Sequence, residues 1–331
     1  MKAIVYTEYG PPEVLHVADL QKPTPKDGEI LIRIHAASVN YGDITARNFG
    51  NITGRQFNMP GFFLFPAKVA FGLRKPKKHV LGSELSGVVE SVGKNVSKFK
   101  PGDEVFAYPG MNMGAYAEYI CMPETKAVAL KPSNLSHAEA AGLPYGGLMA
   151  LILLRKANIQ PGQKVLINGA SGGIGAIALQ LAKHYGAQVT AVCSTPSLDY
   201  VRSLGADHVI DYTREDFTQN GKQYDLIFDV LGRSSFARSK RSLTPNGRLV
   251  YVSFKVKQLL QMMWTSITGG RRVICNMAAE SAYDLDQVKS LAESGKIKII
   301  VDQVFPPEQA AEAHQTIEQG GTKGRVVIAF F

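Results

Sequence analysis

The residues with the clearest chemical capacity are the ASGGIG run at 170–175. An apolar run at 165–168 precedes them, and Ile174, Ile177, Ala178, Leu181 and Ala182 then recur at helical spacing until Gly186 supplies a stop. A second apolar run follows at 189–193. Strand, glycine turn, helix, strand is the first half of a dinucleotide-binding unit. A phosphate can sit on the free N–H groups of a helix start only where no side chain blocks its approach, which is what the glycines allow.

Glycine clusters also make ordinary turns, so the surrounding elements decide. The alternation continues: strands are predicted at 208–212, 225–230, 248–253 and 273–277, with helices at 197–204, 215–219, 234–243 and 257–267. With the runs that begin at Val165 and Val189 this makes six strands joined by helical crossovers, an α/β doubly wound parallel sheet.

Residues 1–126 read differently. Short β-like segments at 29–36, 80–92, 104–107 and 115–122 are separated by turns at 23–28 and 101–103, which predicts a separate, mostly antiparallel domain. Helical segments within 132–159 carry the chain into the parallel sheet. Beyond 277 come a helix at 285–294, a strand at 298–305, a helix at 307–318 and a strand at 325–330. The six-strand unit does not need them, so they return to the first domain. The expected division is 1–126 with 278–331 for that discontinuous domain and 127–277 for the cofactor domain.

The 331 residues are 45% hydrophobic and 20% charged, which fits a soluble globular protein of about two domains. Cys121, Cys193 and Cys275 are odd in number and far apart, so they offer neither a disulfide framework nor a metal cluster. A reducing compartment, the cytoplasm, is the expectation; the N-terminal MKAIVYTEYG lacks the apolar core of a signal peptide, and no apolar run is long enough to span a bilayer. The net charge of +9 is locally concentrated at Arg74, Lys75, Lys77 and Lys78. We read this as a solvated basic loop on a protein with an anionic cofactor, and no RNA-binding strand pattern accompanies it, so no nucleic-acid partner is expected.

Several separated segments together resemble one family. They are ASVNYGD (37–43), GSELSGVVESVG (82–93), KPGDEVFA (100–107), GAYAEY (114–119), GASGGIG (169–175), LGADHVIDY (204–212) and AAEAHQTIEQGGTKGRVVI (310–328). In this order they resemble the medium-chain dehydrogenase/reductase superfamily, and within it the quinone oxidoreductase branch that carries no zinc. The resemblance implies a GroES-like catalytic domain, a Rossmann cofactor domain and a cleft between them. Ligands of open α/β sheets bind beyond the carboxyl ends of the strands, so general physics puts the site in the same cleft.

The resemblance also carries the metal question. Zinc-dependent relatives place a cysteine and then a histidine where this chain has Asn40 and Ser83, and neither an amide nor a hydroxyl replaces those donors well. Glu84 alone does not hold the ion, and no cysteine lies before Cys121 to build a structural zinc lobe. No metal is therefore expected. Without a Lewis acid only hydrogen bonds remain to stabilise charge on a substrate oxygen, which favours quinones and α,β-unsaturated carbonyls over isolated ones.

Asn40 is the first catalytic candidate, as an amide donor to that oxygen, and Tyr41 and Tyr145 are further donors for the cleft. Against these roles stand a cap made by Asn40 with Asp43, and packing aromatics with a wet hydroxyl. Asp43 is expected to hold the local backbone. Met149 stands where relatives commonly have threonine, and the aromatic insert FFLFPAKVAF at 62–71 reads either as a wall for a bulky apolar substrate or as a packed loop.

For the cofactor, the end of the second strand reads Cys193-Ser194-Thr195-Pro196-Ser197, with no acid before Asp199. An acid there would hold the ribose hydroxyls of NAD and repel a 2′-phosphate, so its absence favours NADPH, with NADH possible. Ser194, Thr195 and Ser197 accommodate the phosphate in this reading, although the Arg or Lys that relatives often add is missing. The resemblance adds Tyr212 at the adenosine end, with Arg214 near it, Ser171, Gly172, Gly173, Ile174 and Gly175 at the pyrophosphate turn, and Leu231, Gly232, Ser253 and Phe254 toward the nicotinamide.

The function expected is metal-free, NADPH-dependent hydride transfer to a quinone or other conjugated carbonyl. An enoyl-thioester reductase is the alternative within enzymes, and a non-catalytic NADPH-binding or redox-sensing protein the alternative outside them. The stretch at 257–267, with Leu259, Leu260, Met262, Met263 and Trp264, reads as a helix on the sheet or at a dimer seam. The resemblance implies a homodimer joined through the last parallel strand, 273–277.

Overall fold

Val165, Leu166 and Ile167 are all fully buried, as a strand covered on both faces must be. They sit near the middle of a six-stranded, all-parallel sheet in the computed structural model, which describes residues 1–54, 56–57, 60–276 and 281–331. Its strand order is His208–Asp211, Gln188–Cys193, Lys164–Asn168, Tyr224–Asp229, Leu243–Tyr251 and Arg272–Cys275. The order reverses direction at Lys164–Asn168, so the crevice beyond its carboxyl end is where such sheets take ligands.

A second sheet of seven strands holds the N-terminal part. Glu29–Ser38 is its backbone, paired antiparallel with Leu85–Val92 and with Tyr119–Pro123, and Glu104–Ala107 and Val128–Leu130 extend it. Val301–Phe305 and Arg325–Ala329 close the other side, so the C-terminal strands return to the first sheet. The helix Ala282–Glu293 does otherwise: Leu285, Val288 and Ala292 lie in one core with the helix Pro144–Lys156 and the parallel sheet.

Five expected elements differ. Residues 215–216 have no regular structure and 217–219 form a turn, because the Asp216 carboxylate accepts from both the amide and the hydroxyl of Thr218 and holds the chain in a local loop. The helix expected at 234–243 shrinks to Phe236–Ser239 with a 3₁₀ turn at Lys240–Ser242. The strand expected at 248–253 begins earlier and stops earlier, at Leu243–Tyr251. In 80–92 only Leu85–Val92 is strand; Val80 makes one isolated bridge to Val5, and the Leu81 carbonyl accepts from Gly114 and Tyr116 while the chain turns. In 115–122 the strand is Tyr119–Pro123, since Ala117 bridges to Ala3 instead. The end of the expected strand 273–277 and the expected boundary at 277/278 fall at residues outside those described.

Candidate active site

The carboxyl edge of the parallel sheet arranges the candidate cofactor residues in spatial order. Tyr212 follows the outermost strand, Ser194–Ser197 the next, and the glycine turn follows Lys164–Asn168; Leu231 and Gly232 then follow Tyr224–Asp229, and Ser253 and Phe254 follow Leu243–Tyr251. Every one therefore opens onto the same edge. The helix Gly173–His184 begins at that turn, and the first amides of a helix have no partner within it.

Close packing explains the glycines. A Cβ on Gly175 would stand 2.1 Å from the Gly169 carbonyl oxygen, and one on Gly173 would stand 1.9 Å from Arg325 Nη1. The Arg325 guanidinium thus lies against the phosphate turn, and its Nη2 donates to the Gly173 carbonyl at 3.3 Å. A fixed cation beside free helix amides fits a pyrophosphate.

Two buried carboxylates hold the surroundings. Asp229, fully buried at the end of its strand, accepts from Asn168 Nδ2 at 3.1 Å, from the Gly232 amide at 3.2 Å and from the Ser234 amide at 2.9 Å, which fixes the loop bearing Leu231 and Gly232. Glu84, also fully buried, accepts from Asn40 Nδ2 at 2.9 Å and from the Tyr145 amide at 2.8 Å. That amide lies in the first turn of Pro144–Lys156, where the helix dipole favours an anion. Arg325 Nη1 stands 3.9 Å from the same Glu84 carboxylate. One carboxylate thus joins the antiparallel domain, the helix that follows it and the phosphate turn.

Asn40 caps the helix Tyr41–Arg47, with its backbone N–H donating to Asp43 Oδ2 at 2.9 Å. Its side-chain amide donates to Glu84 and, at 3.4 Å, to Ser83 Oγ. The cap and a side-chain amide bonded to Glu84 therefore coexist in one residue. Asp43 is fully buried, and burial, reinforced by Glu84 and opposed by the Asn40 N–H, pushes its carboxyl up to about 7.

Behind Asp43 runs a buried chain of donors. Arg47 Nη1 lies 2.9 Å from His314 Nδ1, and Tyr116 Oη lies 3.1 Å from His314 Nε2. Arginine only donates, so Nδ1 accepts and the His314 proton sits on Nε2, which donates to Tyr116. The Tyr116 hydroxyl in turn points to Asp43 Oδ2 at 3.5 Å. Burial lowers His314 to about 3, so it stays neutral and fixes the tyrosine.

The tyrosine candidates part company. The Tyr145 ring stacks on Tyr108 at 5.4 Å between centroids, and burial, with the charges of Glu84 and Asp43, raises its phenol so that it keeps its proton. Tyr41 is exposed and takes no part in the Asn40–Glu84 bonding. At the sheet edge Ser197 is buried, while Thr195 is exposed with its hydroxyl bonded to Asp211. Arg214 Nε stands 3.7 Å from that carboxylate. Sequence reasoning did not single out Arg325, Asp229 or Asp211, and gave Glu84 no role.

Zinc is implied by a family model that part of this chain matches, but the residues here do not fit it. The group at the relevant place is an amide, a hydroxyl and a carboxylate that already accepts two hydrogen bonds. Among the described residues no three His, Cys, Asp or Glu side chains cluster in a way that could hold a metal.

Comparison with known proteins agrees with this fold. Residues 26–132 match the alcohol dehydrogenase GroES-like domain, and residues 204–328 match the zinc-binding dehydrogenase model. The mitochondrial NAD(P)H oxidoreductase of Mus musculus is 32% identical over an alignment covering 99% of this chain and 89% of its own. The chloroplastic NADPH-dependent alkenal/one oxidoreductase of Arabidopsis thaliana is 33% identical, covering 99% of this chain and 79% of its own. Among solved structures, the quinone oxidoreductase from Coxiella burnetii superposes with a TM-score of 0.86 at 30% identity, covering 100% of this chain and 99% of that one.

Proposed function

The chain belongs to the quinone oxidoreductase branch of the medium-chain dehydrogenase/reductase superfamily, and we propose that it uses NADPH, without a metal, to reduce a quinone or another α,β-unsaturated carbonyl. The observation that carries this reading is the group of Asn40, Ser83 and Glu84, in which the Asn40 amide and Ser83 hydroxyl offer hydrogen bonds and Glu84 accepts one from Asn40, where zinc-dependent chemistry needs thiolate and imidazole. A conjugated acceptor suits such a site because its developing charge spreads into an enolate or hydroquinone.

Bound NADPH would supply the hydride to the conjugated acceptor. The Asn40 amide keeps its 2.9 Å bond to Glu84 and redirects the hydrogen now held at 3.4 Å by Ser83 toward the substrate oxygen. For an enone, one hydride and one proton are taken up per turnover; the proton comes from solvent or from a donor in the cleft, of which Tyr145 is one. Arg325, which lies against Gly173, and the amides at Gly173, Ile174 and Gly175 would hold the pyrophosphate. Ser194, Tyr212 and Arg214 are assigned to the 2′-phosphate end, because the Thr195 hydroxyl is engaged by Asp211.

We further assign a homodimer, joined along the edge strand Arg272–Cys275 and the exposed face of the helix Val256–Thr268, and a reducing compartment such as the cytoplasm, in keeping with three separate free thiols.

The test is steady-state oxidation of NADPH, beside NADH, against a small quinone and a small enone with no added metal and with a chelator as control. Turnover that prefers NADPH, survives the chelator and falls about a hundredfold in Asn40→Ala is expected, the loss of one transition-state donor. Cofactor binding without reduction of any acceptor would overturn the reading.

A further inference from the structure

Residues 44–83 contain no Asp or Glu, yet they include Lys68, Arg74, Lys75, Lys77 and Lys78. Within them lies the helix Leu64–Phe71, which is apolar on more than one side. Phe71 is buried in the core of the antiparallel domain with Leu64 and Ala67 packed beside it, while Phe65 and Val69 face out. Phe65 is 69% exposed, and Phe62, just before the helix, 60%. The Phe62 and Phe63 rings lie 4.3 Å apart, and Leu73 is exposed just after the helix. A helix that is hydrophobic all round needs cover on both faces, and in the isolated chain only one face has it.

The charges say what kind of cover fits. Lys77 Nζ donates to the Val69 carbonyl at 2.8 Å, and Lys78 Nζ donates to the carbonyl of Met111, itself exposed, and lies 5.6 Å from the Phe71 ring. Lys77 is thereby tied to the helix that carries the exposed rings, and Lys78 to Met111 beside the buried Phe71, with exposed Arg74 and Lys75 on the loop before them. An aromatic and aliphatic centre with a basic rim and no acid in the segment matches an anionic lipid surface: rings enter the acyl boundary and cations meet the headgroups. A packed protein partner would leave the rim charges to find acidic residues one by one, and a nucleic acid would leave Val69 and Leu73 against a polar backbone.

We propose that this patch docks the protein peripherally on an anionic bilayer. No membrane-crossing helix is involved, since among the described residues none is long and apolar enough. The docking is independent of the catalytic reading, because its residues lie outside the Asn40–Glu84–Arg325 network.

The test is co-sedimentation of the full chain with phosphatidylcholine vesicles, with and without phosphatidylglycerol. Binding to the mixed vesicles that weakens with salt is expected, with little binding to phosphatidylcholine alone. Each basic residue near the surface contributes roughly a fivefold change in partitioning, so Arg74→Glu with Lys75→Glu should cost at least about twenty-five-fold. Phe62→Glu with Phe65→Glu should abolish sedimentation while leaving thermal unfolding unchanged. Failure to sediment with anionic vesicles overturns the proposal, as does binding that ignores the Phe substitutions. Self-association lost in the Phe variant without lipid would assign the patch to a second copy instead, and retention on RNA lost only in the basic variant would assign it to a polyanion.

Discussion

Glu84, just before one strand of the antiparallel sheet, and Arg325, the first residue of another, face each other at 3.9 Å, the carboxylate fully buried and the guanidinium nearly so. The Arg325 fork also reaches the phosphate turn, so one cation is shared between a structural carboxylate and the place assigned to the pyrophosphate.

Truncating either partner is therefore expected to do two things. Glu84→Ala leaves Arg325 without its counter-charge and the Asn40 amide and Tyr145 N–H without their acceptor, and should cost about 3–5 kcal/mol of stability. Arg325→Met should raise the NADPH dissociation constant at least tenfold, the loss of a hydrogen bond to a charged group. Thermal unfolding and fluorescence titration of NADPH read the two effects. A stable Arg325→Met variant with unchanged NADPH affinity would remove Arg325 from the cofactor site.

Asp43 gives a pH signature. Its carboxyl is held at about 7 in the folded chain against an ordinary 3.8, by burial first and Glu84 next. Between those values the folded protein keeps a proton that the unfolded chain has lost, so this residue's contribution to stability falls as pH rises through the window. His314 and His137, lowered to about 3 and about 4 by burial, act oppositely: below about pH 6.5 the unfolded chain takes protons that the folded one refuses, and stability is lost on acidification. In the natural chain the two trends oppose each other. In Asp43→Asn the opposing Asp43 trend is removed, so the variant should gain on the natural protein by up to about 4 kcal/mol between pH 4 and pH 7. Parallel unfolding profiles across that range would show that Asp43 ionises normally, whatever holds its backbone.

What the sequence made legible follows from how local each signal is. The glycine turn and the strand ends beside it are written in consecutive residues, and the carboxyl edge of the sheet collects them in order. Asn40 and Asp43 are three apart, so their cap is also local. Arg325 meets Gly173 across 152 residues of chain, and Glu84 meets the Tyr145 amide across 61, with no periodicity to announce either. The run at 215–219 failed for a related reason, since one Asp216 side chain outweighs the helical propensity of its neighbours.

The proposed preference for NADPH rests on the second strand's end. Ser194 follows Cys193 directly, and the Thr195 hydroxyl is bonded to Asp211. Ser194→Asp puts a carboxylate where the ribose hydroxyls of NADH would donate to it and where it would repel a 2′-phosphate. The ratio of kcat/KM for NADPH to that for NADH should fall at least about tenfold, with kcat for NADH retained. A ratio that stays put would mean the adenosine end lies elsewhere on this edge.

Among the described residues the parallel sheet has an open edge at Arg272–Cys275. Arg272–Cys275 has a partner strand on one side, and a strand edge left open invites pairing with another chain. Beside it the helix Val256–Thr268 turns Leu260, Met263, Trp264 and Ile267 outward, Ile267 being 84% exposed. Two copies related by a twofold axis would continue the sheet and cover these side chains together. Sedimentation equilibrium should return twice the 35.9 kDa chain mass. Met263→Asp with Ile267→Asp should return the single mass, because it buries unpaired charge in the seam. Trp264 is the only tryptophan in the chain, so its emission should shift to the red as the seam opens to water. A monomer in the natural protein, or a dimer whose tryptophan emission is unchanged on dissociation, would put the contact on another face.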